Sequence, residues 1–304
     1  MLRIRSFAKV NLHLEVVRRR GDGYHELRTL FQTIDLADEI EIERLGAGDG
    51  EVRLEVLGAD LPTDERNLAA RAAREFLRAW GEPGEGVRIR LVKRIPAGGG
   101  LGGGSSNAAA VLLALAPLFG RPVAAEWLRE TARRLGADVP FFLVGGTAIG
   151  LGRGDEIVPL PDPPGGALDL LLAIPPFAVA TAEVFAALEP TVEPRAARAP
   201  IAALLAGETP RPLVELIGEN DLEAAAFRIR PELSALYTAL ESWGAIRVRL
   251  SGSGSTLFAY FGDPSAAYAA SRALPPGVLS KRVATIGRSA WREASGVEPL
   301  EGGA

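Results

Sequence analysis

The stretch Pro96–Asn107, PAGGGLGGGSSN, decides how the rest of the chain is read. Every position from Gly98 to Gly104 except Leu101 is glycine, and Ser105, Ser106 and Asn107 follow. Glycine lets backbone N–H groups approach an anion closely and adopt positive φ. The hydroxyls and the amide add further donors. Ahead of the loop, Val87–Arg94 (VRIRLVKR) reads as a strand, with Val87, Ile89 and Leu91 on one side. Behind it, Ala108–Ala116 reads as an apolar helix with Pro117 as its stop. A helix start presents unpaired N–H groups and a positive dipole end. Strand, glycine loop and helix together make an anion cradle suited to a polyphosphate. A flexible surface loop is the plain alternative, but such a loop has no need to end at a helix start.

The two common nucleotide motifs fail here on specific residues. Gly98, Gly100 and Gly103 match GxGxxG. The strand before them is half polar, whereas a central parallel strand is nearly all apolar. No strand ending in an acid follows about twenty residues later, as a dinucleotide fold requires. Gly99–Gly104 supplies the GxxxxG of a P-loop, but Ser105 stands where its lysine belongs.

Working outward, the chain has 304 residues, which suggests about two domains. Hydrophobic residues make up 47% and charged residues 24%, the usage of an ordinary globular protein with a core that needs no staples. The net charge of −4 argues against a nucleic-acid binder, which carries a basic excess. Cysteine is absent, so disulfides and thiolate chemistry are excluded. His13 and His25 are the only histidines, too few for a His-rich zinc site. No apolar run reaches the roughly 18 residues of a membrane span, and the N-terminus alternates instead of forming a leader block. A cytoplasmic protein that does not engage membranes is expected. Only Lys9, Lys93 and Lys281 are lysines; every other basic residue is arginine, so each lysine invites a specific reason.

Period-two alternation predicts strands over Arg3–Val17, Glu39–Leu45 and Glu51–Leu57, the last two half-buried and antiparallel. Asn67 caps a predicted helix to Trp80, with Leu68, Ala72, Phe76 and Trp80 on one face. Further helices are expected over Ala124–Leu135, Asp221–Phe227, Pro231–Trp243 and Ser265–Leu274. Strands are expected over Leu168–Ile174, Ile246–Leu250, Thr256–Phe261 and Ser280–Ile286. Gly136–Pro140 is a turn, Phe141–Leu151 is apolar and glycine-broken, and Pro190–Pro212 is a connection with one short helix. Strand and helix runs mix without strict βαβ alternation, which favours α+β.

In this setting the loop resembles the phosphate loop of the GHMP kinases, the superfamily of galactokinase, homoserine kinase, mevalonate kinase and phosphomevalonate kinase. Three blocks narrow the resemblance: Ala8–Val16 (AKVNLHLEV), Gly21–Asp38 (GDGYHELRTLFQTIDLAD) and Leu135–Gly146 (LGADVPFFLVGG). With Asn220–Glu223 (NDLE) and Leu250–Thr256 (LSGSGST), the set is similar to the branch that acts on 4-diphosphocytidyl-2-C-methyl-D-erythritol. The Pro190–Pro212 connection and the tail after Ala290 match none of its blocks. The resemblance implies an α+β, two-domain GHMP kinase fold with a ferredoxin-like C-terminal domain and the active site in the cleft between. The divisions expected are residues 1–160, residues 161–290 and a tail, 291–304. It implies transfer of the ATP γ-phosphoryl group to the 2-hydroxyl of that cytidine diphosphate acceptor, a step of the non-mevalonate isoprenoid precursor pathway. Mg²⁺ is expected with ATP, its ligands unspecified by the sequence. The state is expected to be monomer or homodimer.

By the same resemblance Asp138 is the general base and Lys9 its partner. From the residues alone, Asp138 reads more readily as a turn or capping residue before Val139-Pro140, and Lys9 equally as a strand lysine. An ammonium beside the carboxylate would favour its ionised form and stabilise transferring charge. Asn11, two residues after Lys9 on the strand, shares its side and contacts substrate by resemblance. Tyr24, His25 and Phe185 would form the cytosine pocket, with Thr181 near the substrate; core packing is the alternative for Phe185. His25, after a DG turn, is expected to be exposed, and His13 has no assigned role. Pro96, Ala97, Gly98, Gly99, Gly100, Leu101, Gly102, Gly103, Gly104, Ser105 and Ser106 would hold ATP, with Asn67 at the adenine unless it only caps its helix. The Ser251–Ser255 turn would pack near the phosphate loop. Another kinase of the superfamily, or a silent nucleotide-binding scaffold, remain the competing readings; the cytosine pocket and the Lys9–Asp138 pair discriminate them.

Overall fold

The computed structural model describes residues 1–297 other than 47, 49 and 189–195. The first part of the expected 190–212 connection, and the end of the expected tail, lie outside the described residues. The chain opens with a long antiparallel hairpin, β1 (Leu2–Arg19) and β2 (His25–Leu45), turning through the RGDGY stretch. β2 carries two partners on its other edge. Thr29–Gln32 pairs with β5 (Thr147–Leu151), and Glu39–Leu45 pairs with β4 (Gly86–Val92). β3 (Val52–Leu57) lies outside β4 and β6 (Glu156–Pro159) outside β5, so the sheet order is β3-β4-β2-β5-β6 with β1 on β2.

Two strand expectations are corrected here. β2 begins at His25, well before Glu39, because Thr29, Gln32, Thr33 and Asp38 are buried polar residues that blur the alternation. β3 pairs with β4 in parallel, not antiparallel. The reason is the intervening helix α1 (Leu68–Trp80), which supplies the crossover that parallel neighbours need.

α1 is amphipathic and buries Ala69, Ala72, Ala73 and Phe76 against the next helix. α2 (Gly103–Phe119) is apolar all round, with every residue from Ser106 to Leu115 buried between the sheet, α1 and α3 (Ala125–Leu135). It starts five residues before the expected Ala108, and Pro117 does not stop it. That proline sits in the last turn, and the helix ends at Gly120, whose left-handed N–H bonds Ala116 O and Pro117 O.

A short 3₁₀ turn, Pro140–Leu143, leads into β5. The second sheet consists of β7 (Asp169–Ile174), β8 (Arg247–Leu250), β9 (Leu257–Tyr260) and β10 (Leu279–Ala284), ordered β10-β7-β9-β8 and antiparallel throughout. Between β7 and β8 come α4 (Thr181–Ala186), α5 (Ile201–Leu205), a 3₁₀ turn, α6 (Glu223–Ile229) and α7 (Pro231–Ser242). α8 (Pro264–Ala273) joins β9 to β10. The first strand thus lies between the fourth and third, the ferredoxin-like order.

One face of this second sheet (Leu170, Leu172, Phe258, Val283) packs with Ala8, Val10 and Leu12 of β1. Its other face (Leu171, Ala173, Val248, Leu257) packs with α6 and α7. β1 is therefore buried without interruption from Ser6 to Val17. The chain does not fray after Ala290 as expected: α9 (Arg288–Ser295) returns to the first core and buries Trp291 over Gly145.

Candidate active site

The phosphate-type loop is shaped by where side chains cannot go. Gly98, Gly100 and Gly102 all have φ near +70°. A Cβ on Gly100 would stand 2.0 Å from Ser251 O, and one on Gly102 would stand 2.6 Å from the Phe142 ring. Gly102 is the left-handed N-cap of α2. The N–H groups of Gly103, Gly104 and Ser105 precede the first intrahelical bond, Ser106 N–H to Gly102 O at 2.8 Å. These are the donors a helix start offers an anion. No acidic residue occupies that first turn to compete.

Lys9 lies on β1, where its N–H donates to Leu101 O at 3.0 Å, tying strand to loop. Its side chain is 3% exposed. Nζ donates to Asn11 Oδ1 at 2.5 Å, stands 3.4 Å from Asp138 Oδ2 and lies over the Phe31 ring. Asn11 Nδ2 in turn donates to Thr29 Oγ1 (2.8 Å), which donates to His13 O (2.8 Å). Asp138 follows Gly136 at the end of α3, and the buried Pro140–Leu143 turn pins it. Its carboxyl is one-third exposed, so it faces both the buried ammonium and open space. Lys9, Asn11 and Asp138 are thus brought together beside Leu101 and Gly102.

Beneath the loop lies a buried cluster to which the sequence reading assigned no role. Lys93 Nζ donates to Asp38 Oδ2 and, at 3.2 Å, to Asn107 Oδ1. Asp38 Oδ1 accepts the N–H groups of Arg94 (2.7 Å) and Ile95 (2.8 Å). Asn107 Nδ2 donates to Asp38 Oδ2 and to Ser6 Oγ. The cluster fastens the strand entering the loop to the helix leaving it. Lysine scarcity in an arginine-rich chain was the available signal for Lys93.

The Ser251–Ser255 turn leans on the same loop. Ser251 Oγ donates to Gly100 O (3.0 Å), and Thr256 N–H donates to Gly99 O (3.2 Å). Gly252 borders Lys9 and Asn11: a Cβ there would stand 3.4 Å from each polar head. Ser253 Oγ bonds Thr181 Oγ1 at 2.8 Å. The His25 and Phe185 rings stack with centroids 5.0 Å apart. His25 is half-buried, not exposed as expected, because Phe185 covers it. Burial, with Arg19 nearby, holds its pKa below the usual histidine value. Tyr24 does not join that stack; it is 57% exposed, with the Arg153 guanidinium over its ring. Asn67 caps α1 by accepting Ala69 N–H and donates to Pro62 O, so both ends of its amide are engaged locally. His13 is buried; Nδ1 accepts Glu219 N–H, which assigns the proton to Nε2 facing Glu15.

Comparison with known proteins sets this geometry in a family. The GHMP kinase N-terminal domain model matches residues 67–146, and the GHMP kinase C-terminal model matches residues 201–279. A Thermus thermophilus protein named 4-diphosphocytidyl-2-C-methyl-D-erythritol kinase is 44% identical over 271 residues, covering 88% of this chain and 90% of that protein. A crystal structure of 4-(cytidine 5′-diphospho)-2C-methyl-D-erythritol kinase superposes with a TM-score of 0.76 at 40% identity, covering 94% of this chain and all of that one.

The chain belongs to the 4-diphosphocytidyl-2-C-methyl-D-erythritol kinase family of the GHMP kinases.

A homoserine kinase from Cytophaga hutchinsonii, at 22% identity and a TM-score of 0.65, shows the fold alone. In this GHMP kinase the loop, Lys9, Asn11 and Asp138 come from strand β1, the β4–α2 junction and the α3 turn. Those three pieces lie far apart in sequence and are joined by the sheet.

Proposed function

We propose that this kinase transfers the γ-phosphoryl group of ATP to the 2-hydroxyl of 4-diphosphocytidyl-2-C-methyl-D-erythritol, in the non-mevalonate route to isoprenoid precursors. The observation that carries the reading is the buried Lys9 ammonium 3.4 Å from Asp138, beside the helix start that cradles phosphate. Asp138 accepts the proton of the acceptor hydroxyl as its oxygen bonds phosphorus and the bond to the ADP leaving oxygen breaks. Lys9 pairs with the carboxylate at 3.4 Å and offsets charge on the equatorial oxygens, where a loose transition state needs it. The N–H groups of Gly103, Gly104 and Ser105 hold the phosphates. Gly98 to Leu101, with Pro96 and Ala97 leading in, set the loop's path. Asn67 lies at the start of α1, where the adenine end of ATP would lie.

The cytosine end is read by the His25–Phe185 stack, with the exposed Tyr24 ring beside it. A neutral imidazole offers the base one donor and one acceptor. Asn11 and Thr181 flank the acceptor tail. Among the described residues no three of Asp, Glu and His converge. Mg²⁺ would come with ATP, where a loop hydroxyl such as that of Ser105 could help hold it, and it would supply charge neutralisation at the phosphates. We assign the phosphate loop, the catalytic pair, Tyr24 and His25 to residues 1–160, and the Ser251–Ser255 turn, Thr181 and Phe185 that close over them to residues 161–290. No helix among the described residues is long and apolar enough to cross a membrane. A cytoplasmic monomer or homodimer fits this reading.

The test is product formation from MgATP with two acceptors side by side: the cytidine compound and methylerythritol 4-phosphate, which lacks the cytidine. Phosphorylation of the first alone is expected. Transfer to both removes the aromatic stack as a specificity device, and transfer to neither overturns the assignment.

A further inference from the structure

Leu250 ends β8, the edge strand of the second sheet. Its cross-strand partner is Leu257, and the next ladder bond, Ser251 N–H to Thr256 O, belongs to the following pair. Both backbone polar groups of Leu250 therefore face away from β9, and a buried residue cannot leave them unpaired. Two side chains of the NDLE segment take them. Glu223 Oε1 accepts Leu250 N–H at 2.9 Å. Asn220 Nδ2 donates to Leu250 O at 2.8 Å and to Gly252 O at 2.8 Å. Asn220 is itself 5% exposed, its Oδ1 accepts Leu222 N–H (2.9 Å), and its backbone bridges Leu14 of β1. The segment is thus anchored on the catalytic strand and grips the turn from outside.

That turn is the one whose Ser251 hydroxyl holds Gly100 O and whose Gly252 borders Lys9 and Asn11. Resting on the functional reading above, the structure assigns Asn220 and Glu223 as positioning residues that fix the Ser251–Ser255 turn against the phosphate loop and Lys9. Neither touches the reacting atoms; Glu223 acts through the backbone of Leu250, and Asn220 through that of Leu250 and Gly252. The hold of Glu223 also depends on its charge. Burial pushes its carboxyl up to about 7, against the pull of Leu250 N–H and of Arg249 on β8. Glu219 before the helix and Glu241 on α7 push the same way as burial, and Tyr237 on α7 bonds Arg249 beside it. A carboxylate accepts that N–H more strongly than the neutral acid does, so the turn is held more firmly as pH rises through neutrality.

The experiment is steady-state kinetics of the full chain with MgATP and the cytidine acceptor from pH 6 to 8.5, comparing wild type with Glu223→Gln, Glu223→Asp and Glu223→Ala. Calorimetric ADP affinity is measured on the same proteins. Gln keeps an accepting oxygen at the right reach; Asp keeps the charge but is one methylene short. At pH 8, Gln is expected to fall only to the level wild type shows at pH 6, and Ala to lose about tenfold or more in kcat and in ADP affinity, the scale of one lost charged hydrogen bond. The wild-type rise in kcat through pH 7 is expected to be absent in Gln. An Asp loss matching Ala supports reach as the determinant and keeps the comparison valid should Ala not fold. Wild-type kcat and ADP affinity in folded Asp or Ala would overturn the proposal, as would equal losses in Gln and Ala. If wild type itself does not turn over this acceptor, the functional reading fails, and the ADP affinities still decide the positioning role.

Discussion

Gly100 sets the tightest demand of any single residue in the loop. Its φ of +75° lies where L side chains are strained, and a Cβ would meet Ser251 O at 2.0 Å. Gly100→Ala is expected to lower stability by about 2 kcal/mol or more through strain and collision. It should also drop turnover further than that loss explains, because the loop and the Ser251–Ser255 turn must separate. A thermal melt beside initial rates would show both. The role proposed for Phe185 is of the opposite kind and concerns one ligand only. Phe185→Ala should raise KM for the cytidine acceptor about tenfold or more, the worth of one stacked base, and leave KM for ATP unchanged. His25 adds a sign with pH. Burial, with Arg19 nearby, disfavours its charged form, so the ring keeps its neutral form to lower pH than a free imidazole does. Acceptor KM should therefore be flat above pH 6.5 and rise below it, a rise that His25→Asn would remove.

Among the elements, the β4–α2 junction depends on Asp38, Lys93 and Asn107. Removing one partner of a buried pair leaves the other uncompensated, so Asp38→Ala is expected to cost about 3–5 kcal/mol in chemical denaturation. Asp38→Leu combined with Lys93→Met should recover only part of that stability, because the N–H groups of Arg94 and Ile95 lose their acceptor, and KM for ATP should stay raised, since no charge then fastens the strand to the helix. At α6, Glu223 gives a pH-dependent stability whose sign follows from burial. The unfolded carboxyl ionises near 4.5 and the folded one near 7, so its contribution is full below pH 4.5 and lost by pH 7. Glu223→Gln should thus melt higher than wild type above pH 7, by at most about 3 kcal/mol, and the gap should close toward pH 4.5. Elements with one apolar face were legible in the sequence: Asn67 and the four-residue spacing placed α1 within a residue of its observed ends. β2 was only half legible, because its buried Thr29, Gln32, Thr33 and Asp38 find partners that period-two counting cannot see. Pro117 misled because the helix runs on past it and is ended by the left-handed Gly120 three residues later.

Across the whole molecule, β1 belongs to the first sheet and packs against the second. One of its sides serves the packing between them, and the other carries Lys9, Asn11 and His13. The C-terminal α9 closes the first core from the far end of the chain, and Trp291→Ala should cost about 3–5 kcal/mol by emptying a site that is 3% exposed. The composition of residues 288–295, mostly polar, hid that role; one buried indole carries it. The site shows the same division. Lys9, Asn11, Asp138 and the loop were legible because each sits in a compact motif. Asp38 and Lys93 meet across 55 residues of chain, and Glu223 reaches Leu250 across 27, so only the fold reveals them. The claim on which the account turns is that Lys9 and Asp138 act as one unit on the acceptor hydroxyl. Its most direct test is kcat for Lys9→Ala, Asp138→Asn and the double variant, with MgATP and 4-diphosphocytidyl-2-C-methyl-D-erythritol. Each single change is predicted to lower kcat by about 10²–10⁴-fold in a protein that still folds, and the double change by no more than the worse single. Near-normal turnover in either single variant, or losses that multiply in the double, would contradict it.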